Sequence, residues 1–284
     1  MLKTILDFDF NILFSSNECI LIKLQGNREN MQDYHFISNY KTIKIFGVFD
    51  GHLGKDLSKY LSLYNFSVIH ENVYKYIILG TLSYKHLQKK INKIFIDIDK
   101  NLLNNHLKSQ GSTLHIVYIY DNNVLIINLG DSKTSIYDLE YNQVFSSIQH
   151  RPSIETERKR IELQCSIINN NGIFRINNEL SLSRCFGDIK YKLINNKYDG
   201  VESPVSIIPL IQTFLINDFS YMIIATDGFW DYICDDEIKF ILRTFSHLTL
   251  EKITKILISQ SIKNNSNDNI IIFLIKLNFP KSSF

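Results

Sequence analysis

Short apolar runs recur along the chain and are separated by polar stretches that contain Asn, Asp and Gly. The runs are rich in β-branched and aromatic residues, which is typical of buried strands. YDNNV has the composition of a hairpin turn and LGDSK that of the next tight turn, so the strands around them predict an antiparallel meander. The seven predicted strands are residues 19–24, 42–49, 113–120, 124–129, 134–139, 220–226 and 269–277.

Helical spacing appears between the groups of strands. Apolar residues from Leu87 to Leu102 recur at intervals of four, three, four and four, which predicts a long amphipathic helix. Residues 54–79 have a less regular helical pattern, and 235–245 and 249–260 begin with acidic or Thr residues that favour helix starts. This order predicts an α+β fold, in which antiparallel sheets pack together with helices outside them.

The composition is that of an ordinary soluble protein, 45% hydrophobic and 21% charged, with a net charge of only +2. The lysines are scattered among acids, which indicates neither a nucleic-acid partner nor a membrane surface. No uncharged apolar segment approaches the ~18 residues that span a bilayer. Asp7 and Asp9 interrupt the apolar N-terminus where a signal peptide would need a continuous hydrophobic region. We therefore expect a monomer with a single domain over residues 1–284, in the cytoplasm, the nucleus or both.

Four acids stand where predicted strands begin or end: Asp50, Asp131 and Asp227 follow a strand and Asp268 precedes one. In an antiparallel sheet the end of one strand lies beside the start of its neighbour, so all four could reach one edge. Carboxylates gathered there would repel one another unless a cation lay among them. An all-oxygen set suits Mg²⁺ or Mn²⁺ better than zinc or copper. The alternative for each Asp alone is that it caps a turn.

These motifs resemble, in the same order and over nearly the whole chain, those of the metal-dependent protein serine/threonine phosphatases of the protein phosphatase 2C type. Singly, the motifs are weak evidence, but eight in order are strong. They are GNRENMQDYHF at 26–36, FGVFDGHLG at 46–54, GST at 111–113, LGDSK at 129–133, HRPSIETERKRIE at 150–162, LSLSRCFGDIKYK at 180–192, ATDGFWD at 225–231 and NSNDNIII at 265–272.

The resemblance implies a sandwich of two packed antiparallel sheets flanked by α-helices. It also implies hydrolysis of phosphoserine and phosphothreonine in a phosphorylated protein substrate by direct attack of a metal-activated water. Two Mg²⁺ or Mn²⁺ ions would be held by Asp50, the Gly51 carbonyl, Asp227 and Asp268, with Asp50 bridging. Some family members hold a third ion, and the matching positions here are Asp131, Asp227 and Asp231.

Two further residues match catalytic positions of the family. Arg28 matches the arginine that binds the substrate phosphate, and a surface salt bridge is its alternative role. His52 matches the proposed general acid, and a buried histidine with satisfied hydrogen bonds is the alternative there. Arg184, in LSLSR, is either another anion contact or part of a structural ion pair.

Departures from the family motifs define a rival hypothesis. Gln32 stands where the family has glutamate, which predicts weaker metal binding or a shifted preference towards Mn²⁺. Leu53 replaces a glycine after the histidine, so the shape of that loop is in question. These changes motivate a pseudophosphatase that keeps the fold as a binding or scaffolding module. A carboxylate-paired glycosidase or a calcium-binding module has only the acids in its favour.

Overall fold

Two antiparallel β-sheets lie face to face in the computed structural model, which describes residues 10–216 and 219–277. The strands are β1 Asn11–Ser15, β2 Cys19–Leu24, β3 Tyr34–Tyr40, β4 Ile43–Phe49, β5 Gly51–His52, β6 Gly111–Ser112, β7 Leu114–Tyr120, β8 Asn123–Leu129, β9 Lys133–Asp138, β10 Gln143–Ser146, β11 Ile167–Asn170, β12 Ile173–Ile176, β13 Phe186–Gly187, β14 Leu193–Ile194, β15 Lys197–Tyr198, β16 Leu210–Leu215, β17 Phe219–Ala225 and β18 Ile270–Lys276.

Helices cover the outer faces of the two large sheets, and one further helix, Glu155–Glu162, packs in a smaller cluster away from them. They are α1 Asp56–Ser62, α2 Ser67–Ile77, α3 Tyr84–Lys100, α4 Glu155–Glu162, α5 Asp227–Trp230, α6 Asp235–Phe245 and α7 Leu250–Lys263, with 3₁₀ helices at His106–Ser109 and Ile189–Lys192. Within the described ranges, no helix is both long enough and apolar enough to cross a membrane.

The central strands β2, β4, β7, β8 and β18 are buried on both faces, which explains why they are almost continuously apolar. The five-stranded sheet has the order β16-β8-β7-β4-β3, and the six-stranded sheet has the order β1-β2-β18-β17-β9-β10. Along β4, Ile43 and Ile45 pack against α1–α3, while Phe46 and Val48 pack between the sheets. The predicted fold class is confirmed: helices, two antiparallel sheets and helices form four successive layers.

The seven predicted strands match observed strands to within one residue at each end. The less regular pattern over 54–79 corresponds to two helices, α1 and α2, instead of one. Two residues cited against a signal peptide, Asp7 and Asp9, lie outside the described part of the chain.

The predicted meander is wrong at its second turn. The hairpin between β7 and β8 forms as expected, but β8 and β9 belong to different sheets. Gly130, with φ of +119°, lies in the connection by which LGDSK leads from one sheet to the other. A strand that is buried on both faces is apolar throughout, so its sequence does not indicate which of two sheets it joins. The prediction therefore paired β9 with β8, its nearest neighbour in the sequence.

Candidate active site

Three carboxylates converge where the ends of the two sheets meet. Asp50 follows β4, Asp131 follows β8, and Asp227 follows β17. One carboxylate oxygen from each lies within 4.8 Å of the others. Since β4 and β8 are in one sheet and β17 is in the other, packing of the sandwich itself brings these acids together.

Backbone and hydroxyl hydrogen bonds fix the end of β4 at this place. The amide of Asp50 donates to Thr113 Oγ1 at 3.0 Å, and the amide of Thr113 donates to the Asp50 carbonyl at 2.8 Å. Thr113 Oγ1 also lies 3.2 Å from Ser132 Oγ. The GST and LGDSK motifs therefore hold the strand that carries Asp50.

The carboxylates of this cluster disfavour one another's charge. Burial, followed by the negative charges of Asp33 and Asp131, raises the pKa of Asp50 well above its ordinary value. Burial and the charges of Asp50 and Asp131 do the same to the pKa of Asp227. Two buried oxygens, Asp33 Oδ2 and Asp131 Oδ1, have no hydrogen-bond partner among the described residues. A cluster with this charge and these free oxygens fits a hard divalent cation.

The other two ligands predicted for the pair of ions line the same pocket, whose volume is about 780 Å³. Gly51 and Asp268 both contribute to its wall. A Cβ on Gly51 would lie 2.5 Å from both the Gln32 carbonyl oxygen and Ser58 Oγ, so the close approach of these chains requires glycine. Asp268 accepts a hydrogen bond from Arg28 Nη2 at 2.7 Å.

Arg28 and His52 also reach this pocket. The Arg28 side chain is 60% exposed at the rim, beside Asp268. The His52 ring is 23% exposed, and its Nε2 lies 2.5 Å from Asp188 Oδ2. Gln32 and Leu53, the two departures from the family motifs, line the pocket as well. Leu53 adopts the left-handed conformation that favours glycine, with φ of +58°, so the replacement has not removed that turn.

The predicted third-ion set surrounds an arginine. Arg151 Nη2 lies 3.1 Å from Asp131 Oδ2, 3.6 Å from Asp227 Oδ2 and 2.9 Å from Asp231 Oδ1. The same guanidinium also donates to the second Asp231 oxygen through Nη1 at 2.9 Å. A cation supplied by the chain thus lies where the resemblance placed a metal.

Arg184 belongs to a structural ion pair. Its Nε donates to both oxygens of Glu157 at 3.1 Å, and its Nη1 donates to the Ile208 carbonyl at 2.8 Å. Arg160 contacts the same carboxylate. Although burial acts to raise it, these two guanidinium groups lower the pKa of Glu157 to about 2.

Sequence reasoning missed Asp33, whose side chain lies within the site. It is the Asp of MQD, immediately before β3, and it is only 2% exposed. Burial and the charge of Asp227 raise the pKa of Asp33 to about 8. The signal was present, because Asp33 adjoins a predicted motif residue, Gln32, and precedes a run of alternating apolar residues.

A sandwich of antiparallel sheets between helical layers, with an acidic cluster where the sheets meet, defines the class of metal-dependent phosphatases. Protein phosphatase 1L of Bos taurus is 28% identical over 273 residues, which cover 93% of this chain and 73% of that protein. Probable protein phosphatase 2C 7 of Oryza sativa subsp. japonica is 28% identical over 225 residues, 77% of this chain and 55% of the relative. The chain thus spans about half the length of the rice relatives it matches.

The fold also matches solved structures. A serine-threonine phosphatase 2C from Toxoplasma gondii superposes with a TM-score of 0.71 at 18% identity, over 95% of this chain and 98% of that one. The family model of protein phosphatase 2C matches residues 17–270. The chain belongs to the protein phosphatase 2C family of metal-dependent protein serine/threonine phosphatases.

Proposed function

We propose that this chain removes phosphate from phosphoserine and phosphothreonine in protein substrates with the help of two Mg²⁺ or Mn²⁺ ions. The observation that carries the proposal is the cluster of Asp50, Asp131 and Asp227, with oxygens within 4.8 Å of one another, in a pocket that Arg28 and His52 also line. A phosphorylated side chain that enters the pocket would lie near carboxylates that can bind cations, a guanidinium that can bind the phosphate and an imidazole that can donate a proton.

The acidic residues would hold the ions. Asp50, the Gly51 carbonyl, Asp227 and Asp268 are the ligands that the family motifs assign, and all four residues line the pocket. Bound divalent cations supply the acidity that ionises a water near neutral pH and the charge that stabilises an in-line displacement at phosphorus. The protein contributes a fixed set of oxygens, since Asp50 is held through its backbone by Thr113.

Arg28 would bind the substrate phosphate. Its guanidinium presents five N–H donors in a planar fork, and only Nη2 is used in the contact with Asp268. The remaining donors can bind two phosphate oxygens in the bidentate geometry that arginine favours. Because the side chain is mostly exposed, an incoming phosphoprotein can reach it without rearrangement of the core.

His52 would protonate the departing oxygen. A serine alkoxide is a poor leaving group, and a positioned proton donor contributes about 10²–10⁴-fold to such a step. The imidazole lies in the pocket wall, one residue beyond Gly51 and two beyond Asp50. Because His52 is so near Asp50 and Gly51 in the sequence, the proton donor lies close to the metal ligands.

Phosphate release from a phosphoserine peptide tests the proposal. We expect turnover with millimolar Mn²⁺ and none after chelation of the ion with EDTA. A folded protein that releases no phosphate at millimolar Mn²⁺ would contradict the proposed activity and favour the scaffolding hypothesis. Comparison of Mn²⁺ with Mg²⁺ in the same assay, for the wild type and for Gln32→Glu, measures whether Gln32 shifts the metal preference.

A further inference from the structure

A small three-stranded sheet places His52 beside a second acidic residue. In this sheet β5 pairs with β6, and β6 pairs with β13. His52 lies opposite Gly111, and Gly111 lies opposite Gly187. Asp188 is the next residue of the chain after Gly187. The Asp188 carboxylate reaches across Gly111 to within 2.5 Å of His52 Nε2.

Gly111 provides the space for this contact. A Cβ at residue 111 would lie 1.9 Å from His52 Nε2 and 2.5 Å from Asp188 Oδ2. Both distances are shorter than any side chain tolerates, so only glycine allows the imidazole and the carboxylate to meet over the strand. The GST motif, which begins at Gly111, thus has a role in the geometry around His52.

Buried charges hold the loop that carries Asp188. Asp188 itself has φ of +47°, a left-handed conformation that Asp adopts more readily than most residues other than glycine. Lys192 Nζ donates to the Cys185 carbonyl and to Asp99 Oδ2, each at 2.7 Å. Asp99 Oδ1 in turn accepts from the Gly187 amide at 2.8 Å. Lys192 and Asp99 are fully buried, so the segment that leads into Asp188 is held by groups that cannot move into solvent.

We propose that Asp188 is the positioning residue for His52. Its carboxylate accepts a hydrogen bond from Nε2–H and fixes the ring, which leaves Nδ1 for the substrate oxygen. Within the described residues Asp188 is the hydrogen-bond partner of the His52 ring, and the Asp188 side chain is only 1% exposed. A carboxylate with this burial and contact serves to orient an imidazole and to select its tautomer.

The proposal rests on the function proposed above, and its proton balance is simple. A water oxygen forms a new bond to phosphorus, and the protons of that water leave with the inorganic phosphate. The bond from phosphorus to the serine or threonine oxygen breaks, and that oxygen keeps the electron pair. The Nδ1 proton of His52 transfers to it and gives the free hydroxyl. The Nε2 hydrogen stays on the ring, donating to Asp188 throughout.

Two substrates separate a positioning role from a structural one. Asp188→Asn should lower kcat on a phosphoserine peptide by about 10–100-fold, yet change kcat on p-nitrophenyl phosphate less than about threefold, since an aryl oxide scarcely needs a proton. In a His52→Ala background, Asp188→Asn should cause no further loss. Cys185→Ala is the matched control, because its thiol also donates to Asp188 Oδ2, at 3.3 Å, and it lies in the same loop. We expect that control to leave the ratio of the two rates unchanged.

If His52→Ala slows the phosphoserine peptide more than p-nitrophenyl phosphate, equal losses on both substrates in Asp188→Asn would overturn the proposal and assign Asp188 a purely structural role. Losses that multiply in the double variant would overturn it as well. Nitrogen NMR of the histidine rings gives a readout that does not depend on turnover. The His52 signals, assigned by their disappearance in His52→Ala, should shift in Asp188→Asn, and unchanged signals would also overturn the proposal. If His52→Ala slows both substrates equally while those signals do shift, the acid role of His52 has failed but the positioning of its ring stands.

Discussion

At the scale of single residues, Arg151 shows how this site balances its own charge. Its guanidinium contacts three carboxylates, and the Asp131 side chain among them is only 3% exposed. Buried acids need a nearby cation, and here one is built into the chain. Arg151 therefore competes with any third metal ion for the oxygens of Asp131, Asp227 and Asp231.

Replacing Arg151 tests that competition. Arg151→Gln should lower the free energy of unfolding of the metal-free protein by up to about 3 kcal/mol, because it leaves Asp131 buried without its cation. The same variant should gain more thermal stability from added Mn²⁺ than the wild type does. Arg151→Lys keeps the charge and serves as the control. An unaltered Mn²⁺ response in Arg151→Gln, measured by thermal unfolding, would show that Arg151 does not compete.

A motif shows which residues are close in the sequence, but it does not show which distant residues they contact. Motif order was enough to place Asp50, Asp227 and His52 in one pocket, since each follows or lies within a strand signal. It could not reveal the contact between His52 and Asp188, which are 136 positions apart and meet only through the small sheet over Gly111. Nor could it show that Arg151 would lie among three acids.

At the scale of elements, α3 supplies more than an amphipathic surface. Its Leu87, Ile91 and Ile98 pack into the core beside the five-stranded sheet, as their spacing predicts. Asp99, near the end of the same helix, points into the protein and pairs with Lys192. The helix thereby fixes the loop that precedes Asp188.

Breaking the buried ion pair between Asp99 and Lys192 should strongly destabilise the fold. Asp99→Asn leaves the Lys192 ammonium without its counter-charge, so we expect the free energy of unfolding to fall by about 3–5 kcal/mol. Asp97→Asn, at an exposed position on the same helix, should change it by less than about 0.5 kcal/mol. Chemical denaturation of both variants measures the difference. Equal stabilities would mean that the buried pair does not hold the loop.

Element prediction succeeded where a pattern is local and failed where it is not. Strand positions follow from apolar runs bounded by turn residues, and α3 follows from its spacing. Sheet membership depends on contacts between distant segments, as for β9, which pairs with β17 and β10 instead of β8. The error matters because the chain carries Asp131 into the site where it crosses between the sheets.

At the scale of the whole molecule, stability should depend on pH in opposite ways in acid and in base. Buried His115 and half-buried His35 and His70 have their pKa values lowered to about 4, chiefly by burial. Below pH 6.5 the unfolded chain therefore binds more protons than the folded one, and stability is lost as pH falls. Asp33 behaves oppositely: its pKa is about 8 when folded, against 3.8 ordinarily, so the folded chain binds the extra proton between these values.

The metal-free protein should consequently lose stability as pH rises from 7 to 8.5, where the histidines no longer titrate and Asp33 gives up its proton. Thermal unfolding in EDTA across this range measures the effect. Asp33→Asn, which cannot ionise, should reduce this loss, and the remainder reflects Asp50 and Asp227, whose pKa values burial also raises. A melting temperature that rises over this range in the wild type would contradict the assignment of Asp33 as a buried, protonated acid.

The fold class could be predicted for the whole molecule because eight motifs occur in order and the apolar runs agree with them. Three statements stay predictions: residues 1–284 form one domain, the protein is a monomer, and it resides in the cytoplasm, the nucleus or both. These properties depend on surface residues that contact another chain or a targeting receptor, and such residues leave no pattern in the buried core.

The central claim is that the acidic cluster binds the catalytic cation, and Asp227→Asn tests it most directly. Mn²⁺ affinity by calorimetry and phosphate release from a phosphoserine peptide should be measured together for the wild type, Asp227→Asn and Asp236→Asn, an exposed acid on α6. We predict that Asp227→Asn binds Mn²⁺ more weakly and loses nearly all turnover, while Asp236→Asn matches the wild type. Turnover and Mn²⁺ affinity at the wild-type level in Asp227→Asn would contradict the claim.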